Sequence, residues 1–331
     1  MLRIAAILVP LLCAGPALAQ RDSTARTVDI ERVEIAGVRP MKEIGVQRTV
    51  LDSALLRENI SSSLADALSS GSTLFITPYG RATLATASFR GTAPSHTQVT
   101  WNGMKMNSPM LGQVDFSLIP SYFVDDASIY HGASSVGITG GGLGGAITLA
   151  TKEPETRGFA LRYVQGIGSF TTFDEFLRLS YRAGRWSAVT RVLVSTSEND
   201  FRYRNYDSKP FVTNDNGEIV DACYPLQRNR NGAFRDLHLL QEFYYTSRQG
   251  DRFSLAAWYL DTDRGLALLS SDRNTSREKR NSQTERTLRA VAAWERIFGG
   301  VKTGVRAGYT YDDLRYLMES DPDGQGNFTP V

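Results

Sequence analysis

The sequence is poor in cysteine and histidine. Its 331 residues include two cysteines, Cys13 and Cys223, and we expect Cys13 to be removed with an N-terminal segment. One remaining cysteine cannot build a disulfide framework or a cysteine-based metal site. The histidines, His96, His131 and His238, fall in separate places, and no H-E-x-x-H, G-x-S-x-G or acidic metal-binding loop is present. We therefore predict no catalytic residue, no metal site, no cofactor and no enzymatic activity.

A strong net charge and a long apolar run are also missing. The 37 basic and 35 acidic residues give a formal net charge of +2, which argues against a nucleic-acid-binding protein. Beyond the N-terminus, no stretch approaches the roughly eighteen continuous apolar residues of a transmembrane helix. A hydrophobic content of 41% is still compatible with a membrane barrel, because its strands alternate apolar and polar residues.

The N-terminus has the pattern of a secretory signal peptide. Arg3 is followed by an apolar stretch at residues 4–12 and by the small-residue site Ala17-Leu18-Ala19. A lipoprotein anchor at Cys13 is disfavoured, because two leucines precede it where small residues are normally needed. We expect cleavage after Ala19, with residues 1–19 as the signal peptide. The exported chain is then periplasmic, extracellular or a barrel in the bacterial outer membrane.

The second half of the chain alternates apolar and polar residues with a period of two, which predicts strands with two different faces. Charged arginines inside such strands should point into a barrel lumen, because lipid would make them costly. The predicted strands lie at 159–167, 173–182, 186–196, 234–246, 252–261, 285–297 and 301–313.

The connections between these strands fit a transmembrane barrel. Tight turns are expected at 183–184, 248–251 and 299–300, and long polar loops at 197–233 and 262–284. Short turns on one side and long loops on the other are typical of the two ends of an outer-membrane barrel. Seven strands cannot close one without leaving unpaired edges in lipid, so we expect the barrel to be incomplete in this chain.

A series of short motifs lies between residues 89 and 149. In chain order they are Phe89-Arg90-Gly91, Trp101-Asn102-Gly103, Leu118-Ile119-Pro120, Tyr130-His131-Gly132 and Gly144-Gly145-Ala146. The series resembles the plug domain of TonB-dependent outer-membrane receptors. The resemblance implies an α+β plug domain at residues 36–152, after a disordered segment at 20–35, followed by antiparallel transmembrane β-barrel strands at 153–331.

The resemblance also implies structural roles for the motif residues. Arg90 is expected in the plug core, paired with Asp115, Asp125 or Asp126, because a guanidinium cannot be buried alone. The other motif positions are expected to shape tight backbone: Gly91, Asn102, Gly103, Gly132, Gly144 and Gly145. The run at 140–145 matches G-x-G-x-x-G, but a strand pattern follows it, so a dinucleotide site is not expected.

The alternating segment 28–35 carries the expected partner contact. By resemblance, Val28, Asp29, Ile30 and Val33 belong to a box that adds a strand to TonB, which the proton-driven inner-membrane complex pulls. The alternative, that this segment is simply the first plug strand, stays open. Outer-membrane lipid is the other expected partner.

The resemblance places ligand contacts on the plug apices that face outward. The candidates are Tyr79, Arg81, Asn107, Met110 and Gln113, whose aromatic, cationic and amide groups suit a large polar ligand. The expected ligand is a chelated metal nutrient, with cobalamin suggested by the run at 101–115. A ferric siderophore is the alternative substrate, and a non-transporting binding or adhesion protein is the alternative function.

Overall fold

The computed structural model describes residues 46–58, 60–78, 80–135, 143–206, 211–267 and 281–319. The expectations for the signal peptide, for the candidate coupling residues Val28, Asp29, Ile30 and Val33, and for Tyr79 lie outside these residues.

The N-terminal domain is built on a five-stranded mixed sheet in the order β1-β6-β7-β4-β5. The strands β4 and β7 are parallel, and the other neighbours are antiparallel. A separate hairpin pairs β2 with β3. The bounds are β1 Arg48–Val50, β2 Phe75–Pro78, β3 Ala85–Ser88, β4 Thr97–Trp101, β5 Met104–Lys105, β6 Asp126–His131 and β7 Gly145–Ala150.

One α-helix, α1 at Leu64–Gly71, packs on this domain with Leu64, Ala67 and Leu68 buried, as the sequence predicts. Its N-cap is Ser63, whose amide and hydroxyl both donate to the Asp66 carboxylate at 2.8 Å. Short 3-10 turns lie at Leu55–Arg57, Pro94–His96, Phe116–Leu118, Ser121–Phe123 and Gly132–Ser135. Among the described residues, no helix is long and apolar enough to cross a membrane.

The C-terminal part forms one seven-stranded sheet in the order β18-β17-β16-β15-β10-β9-β8, with every neighbouring pair antiparallel. Its bounds are β8 Gly158–Gly168, β9 Thr172–Ala183, β10 Trp186–Ser197, β15 Phe234–Thr246, β16 Arg252–Gly265, β17 Ser282–Phe298 and β18 Val301–Leu317. The seven predicted strands are confirmed, and no end moves by more than four residues.

The three predicted tight turns lie at one end of this sheet, called here the turn end. The long connections lie at the other end, called the loop end, together with a short turn at 169–171 between β8 and β9. The predicted loop 197–233 is not wholly irregular, because two small hairpins form within it. Their strands are β11 Arg202–Arg204, β12 Phe211–Thr213, β13 Ile219–Ala222 and β14 Leu226–Arg228. Strands of three or four residues are too short for a period of two to be recognised in the sequence.

The sheet has an inner face, against the N-terminal domain, and an outer face. Arg178, Arg191 and Arg289 point inward from mid-strand positions, as predicted, and Arg191 is 1% exposed. Arg286 departs from that expectation: it points outward and is paired with Asp261 at 3.3 Å. Its position near the loop end explains the difference, since the cost of an outward charge falls away from the middle of the bilayer.

Candidate functional site

The N-terminal domain meets the inner face of the sheet through a seam of aromatic rings. Trp101 lies 5.5 Å from Trp258, and Phe123 lies 5.7 Å from Trp258 and 6.2 Å from Phe176, between ring centroids. All four side chains are buried. Such aromatic pairs contribute about 0.5–1.5 kcal/mol each beyond the area they bury. The seam therefore fixes the domain against strands β9 and β16.

The first buried ion pair across this contact joins Asp125 to Arg191. Two guanidinium nitrogens of Arg191 donate to the two Asp125 oxygens, and Arg191 also lies 3.3 Å from the fully buried Glu242. Burial alone would raise the pKa of Asp125, but the charge and hydrogen bonds of Arg191 and the backbone amide of Lys152 outweigh it. The pKa of Asp125 therefore lies below its ordinary value, and its carboxylate is ionised.

A second ion pair lies nearer the loop end, between Asp115 and Arg264. The Arg264 guanidinium, which is 1% exposed, lies 3.2 Å from an Asp115 oxygen. The other Asp115 oxygen accepts from the backbone amides of Ala85 and Ser117 at 3.0 Å. This carboxylate thus shapes the domain's own backbone and also holds the domain to β16.

A third ion pair has the opposite polarity, with the arginine on the N-terminal domain. Arg81 donates to both oxygens of Asp174 at 3.1 Å, and its guanidinium lies 5.3 Å from the centre of the Phe234 ring. The hydroxyls of Ser61 and Ser195 also donate to Asp174. The Asp174 side chain is 2% exposed and that of Arg81 is 36% exposed, so the outward-facing partner is the cation.

Arg90 does not fill the role expected of it. Its side chain is exposed, and its guanidinium lies 3.5 Å from the Gln47 side-chain oxygen rather than beside Asp115, Asp125 or Asp126. Asp115 and Asp125 pair instead with arginines of the sheet. Arg90 lies two residues beyond the end of β3, at a φ of +44°, in a turn closed by the hydrogen bond from the Thr92 amide to the Phe89 carbonyl.

The motif glycines and Asn102 lie where the backbone needs them. Asn102 and Gly103 both have positive φ and connect β4 to β5, as a two-residue type I′ turn requires. A Cβ on Gly145 would lie 2.5 Å from the Tyr130 carbonyl oxygen, and one on Gly144 would lie 2.9 Å from the Cβ of Phe89. The Phe89 motif and the glycine motif are therefore two sides of one packing contact. Gly91 and Gly132 are also at positive φ.

The predicted ligand contacts divide into exposed and buried groups. Met110 is 83% exposed at the tip of the segment 108–113, and Gln113 is half-buried beside it. Asn107 is buried: its amide donates to the carbonyls of Thr97 and Gly112 and accepts from the Val99 amide. The Asn107 expectation is corrected accordingly, because its side chain braces the loop and has no group left for a ligand.

The segment 198–201 links the backbone of Arg81 to the turn that holds Phe170 at the loop end. Asn199 donates to the Arg81 carbonyl at 3.5 Å, and the adjacent Glu198 amide donates to the Phe170 carbonyl at 3.0 Å. The Phe170 ring lies 6.1 Å from that of Phe201. Phe170 was not among the predicted contacts; it lies in the short turn between β8 and β9, where its φ is +61°.

A polar cavity of about 380 Å³ lies beneath Arg81, between the start of α1 and the inner face of β9, β10 and β15. Its lining includes Ser61, Arg81, Asp174, Asp236 and His238. Within the residues that the structure describes, no group of three or more His, Cys, Asp or Glu side chains is arranged to hold a metal ion. The site therefore offers charge and hydrogen bonds rather than direct metal ligands.

Comparison with known proteins agrees with this geometry. Residues 40–146 match the family model of the TonB-dependent Receptor Plug Domain. No curated protein sequence matches the chain significantly.

Solved structures with a similar fold include three transport receptors. The siderophore receptor PiuA from Acinetobacter baumannii is 14% identical with a TM-score of 0.58, and 83% of this chain covers 37% of it. The copper transporter OprC is 14% identical with a TM-score of 0.59, and the match covers 82% of this chain and 38% of OprC. The ferric-catecholate import receptor Fiu from E. coli K12 is 12% identical with a TM-score of 0.56, and the match covers 83% of this chain and 40% of Fiu.

An α+β domain seated on the inner face of an antiparallel sheet defines the plug-and-barrel class of fold. The chain carries the plug domain of the TonB-dependent receptors, followed by seven strands of their β-barrel fold. It spans 37–40% of the length of the three receptors above. The predicted family and fold are thus confirmed, and none of these three receptors is named for cobalamin. Below, the N-terminal domain is called the plug and the sheet the barrel wall.

Proposed function

We propose that the full-length protein is an outer-membrane receptor that imports a large anionic metal chelate, with ferric siderophores as the favoured class. The observation that carries the proposal is the outward-facing guanidinium of Arg81, held by the buried Asp174 beside the ring of Phe234. A cation next to an aromatic ring suits a planar, anionic chelating group. The names of PiuA and Fiu support a ferric chelate over the cobalamin suggested by the sequence.

The outer face of the barrel wall supports a place in the outer membrane. Near the turn end, Trp186, Tyr245, Phe253 and Trp294 oppose one another on four adjacent strands, as an interfacial aromatic girdle does. Near the loop end, Asp261, Arg286 and Asp313 form a charged row on three strands.

The spacing of these two rows matches a bilayer. Eight residues separate Phe253 from Asp261 along β16, and at about 3.3 Å per residue they span about 26 Å. A strand tilt of about 40° reduces this to about 20 Å, slightly less than the roughly 25 Å apolar band of such barrels. The tight turns would then face the periplasm and the long loops the exterior.

Energy would reach the receptor from the periplasm. In the proposed scheme TonB, driven by the inner-membrane proton-powered complex, pairs as an added strand with the segment containing Val28, Asp29, Ile30 and Val33. No nucleotide site is required, because the force comes through the partner. The signal peptide ending at Ala19 would deliver the chain to the periplasm for insertion.

The pull must separate the plug from the barrel wall. Three ion pairs resist it. The pairs of Asp125 with Arg191 and of Asp115 with Arg264 are largely buried, and the pair of Arg81 with Asp174 is partly exposed. Breaking one buried pair by removing a partner costs about 3–5 kcal/mol. Releasing Arg81 from Asp174 would open the 380 Å³ cavity toward the loop end, which gives bound cargo a polar space to enter.

The substrate class is tested by titrating the purified full-length protein with ferric enterobactin, an anionic tricatecholate, and with cyanocobalamin. We expect the ferric chelate to bind. The change Arg81→Gln should weaken it at least about tenfold, because one charge-assisted hydrogen-bonding group is lost. Arg90→Gln, also an exposed plug arginine, is the matched control and should leave the Kd unchanged. Binding of cyanocobalamin alone would reject the ferric-chelate assignment.

A further inference from the structure

Three arginines oppose one another on adjacent strands of the barrel wall. In the observed register Arg162 faces Arg178 across β8 and β9, and Arg178 faces Arg191 across β9 and β10. Directly opposed residues have Cβ atoms about 4.5–5.5 Å apart, and like charges in such positions destabilise a sheet. Arg162, Arg178 and Arg191, called here the arginine row, therefore require nearby negative charge.

The described carboxylates neutralise only one end of this row. Asp125 and Glu242 both pair with Arg191, and Asp125 also lies 3.4 Å from Arg57. Neither Arg162 nor Arg178 forms an ion pair with any carboxylate of the described residues. Their contacts are to neutral groups: Arg162 lies over the Tyr122 ring at 5.2 Å, and Arg178 donates to the Ser180 hydroxyl at 3.3 Å.

A cavity of about 340 Å³ lies in front of the row. Arg57, Arg162, Arg178, Arg191 and Lys152 all contribute to its lining. The Nε atom of Arg191, one of these lining residues, is buried without a hydrogen-bond partner, although buried donors are normally satisfied. The cavity thus combines excess positive charge with room for a small ion.

The acidic residues of the cavity wall do not remove this excess. Glu153 is engaged elsewhere, since it accepts from the Ser187 hydroxyl at 2.8 Å and lies 3.7 Å from Arg182. Glu155 is exposed and forms no ion pair within the described part of the chain. Glu155 is therefore the one lining carboxylate that could compete with an external anion.

We propose that this cavity binds a phosphate-like oxyanion between Arg162, Arg178 and Arg57. Guanidinium groups bind such anions through paired, charge-assisted hydrogen bonds, and one tetrahedral oxyanion offers acceptors to several arginines at once. The site lies toward the turn end, beside the plug–barrel connection at Lys152. It is separate from the proposed ligand surface at Arg81 and does not depend on the identity of the imported nutrient.

The test is a titration of the full-length protein with inorganic phosphate, against sodium chloride at equal ionic strength so that general screening cancels. The thermal unfolding midpoint should rise with phosphate and saturate, because a ligand that binds the folded state stabilises it. Arg178→Gln and Arg162→Gln should each weaken the apparent Kd at least about tenfold. Arg202→Gln, an exposed loop arginine outside the cavity, should leave it unchanged.

Two results with the unsubstituted or the Glu155→Gln protein would overturn the proposal. One is an equal response to phosphate and chloride in the unsubstituted protein. The other is a phosphate response that emerges only after Glu155→Gln, which would show that Glu155 already fills the cavity. Because Arg178→Gln also removes one of the mutually repelling charges, the folded state should persist and keep the readout available, with circular dichroism as the check. A phosphate affinity that neither Arg162→Gln nor Arg178→Gln lowers would likewise contradict the assignment.

Discussion

Asp125 of the plug receives both guanidinium bonds of Arg191 on the barrel wall, in a contact where the arginine side chain is 1% exposed and the carboxylate 9%. The same arginine reaches Glu242 of the neighbouring strand. A charge from the plug therefore completes a network that the barrel wall leaves unbalanced, and plug docking and barrel stability are linked through one residue pair.

We predict that Asp125→Asn destabilises plug docking by about 3 kcal/mol, the lower end of the range for a broken buried pair, because Glu242 still neutralises Arg191. The denaturant midpoint of the full-length protein in detergent measures the change. Asp126→Asn is the matched control, since Asp126 pairs with the exposed Lys152 and should contribute about 1 kcal/mol or less. Equal losses in the two variants would contradict the buried-pair account.

The stabilising effect of Asp125 should depend on pH in a defined direction. Its folded pKa is lowered from an ordinary value of 3.8, so the unfolded chain binds the proton more readily. The contribution is then fully present above about pH 5 and is lost as the pH falls through the lowered folded value. The stability difference between the unsubstituted protein and Asp125→Asn should shrink below about pH 4. A difference that grows on acidification would contradict the assignment.

Among substitutions that add one methyl group to the plug, Gly145→Ala should be one of the most destabilising. The added Cβ would lie 2.5 Å from the Tyr130 carbonyl oxygen and 2.7 Å from the Phe89 ring, and φ is +154°. We expect a loss of about 3 kcal/mol or more from overpacking and backbone strain. Gly91→Ala is the control: φ is +80° but nothing lies within 4 Å of the added atom, so only about 1 kcal/mol should be lost. Unfolding midpoints of both variants measure the contrast.

The barrel wall was predictable because a strand with two different environments must alternate. Leu161 and Tyr163 face outward while Arg162 between them does not, and this period of two carries the strand assignment without any knowledge of partners. The type I′ turn at Asn102-Gly103 was equally local. Such features follow from neighbours in the chain, so a single sequence displays them.

The ion pairs between plug and barrel wall could not be predicted, because their partners are far apart in the chain. Asp125 and Arg191 are 66 residues apart, and Asp115 and Arg264 are 149 apart. The order of motifs suggested Asp115 or Asp125 as a partner for Arg90. The order along the chain does not, however, determine on which face of the plug a side chain lies. Asn107 was misassigned for a similar reason. The sequence alone cannot distinguish a loop asparagine that hydrogen-bonds to the backbone from one that contacts a ligand.

In the proposed mechanism, TonB-driven pulling on the segment at Val28–Val33 imports an anionic chelate. The most direct measurement is uptake of radiolabelled ferric enterobactin by cells carrying the full-length gene, with Val33→Pro compared against Ser23→Pro in the polar stretch before it. The account predicts that Val33→Pro abolishes uptake but leaves surface binding intact, and that Ser23→Pro leaves both intact. Equal uptake in both variants, or binding without any uptake in the unsubstituted protein, would contradict the account.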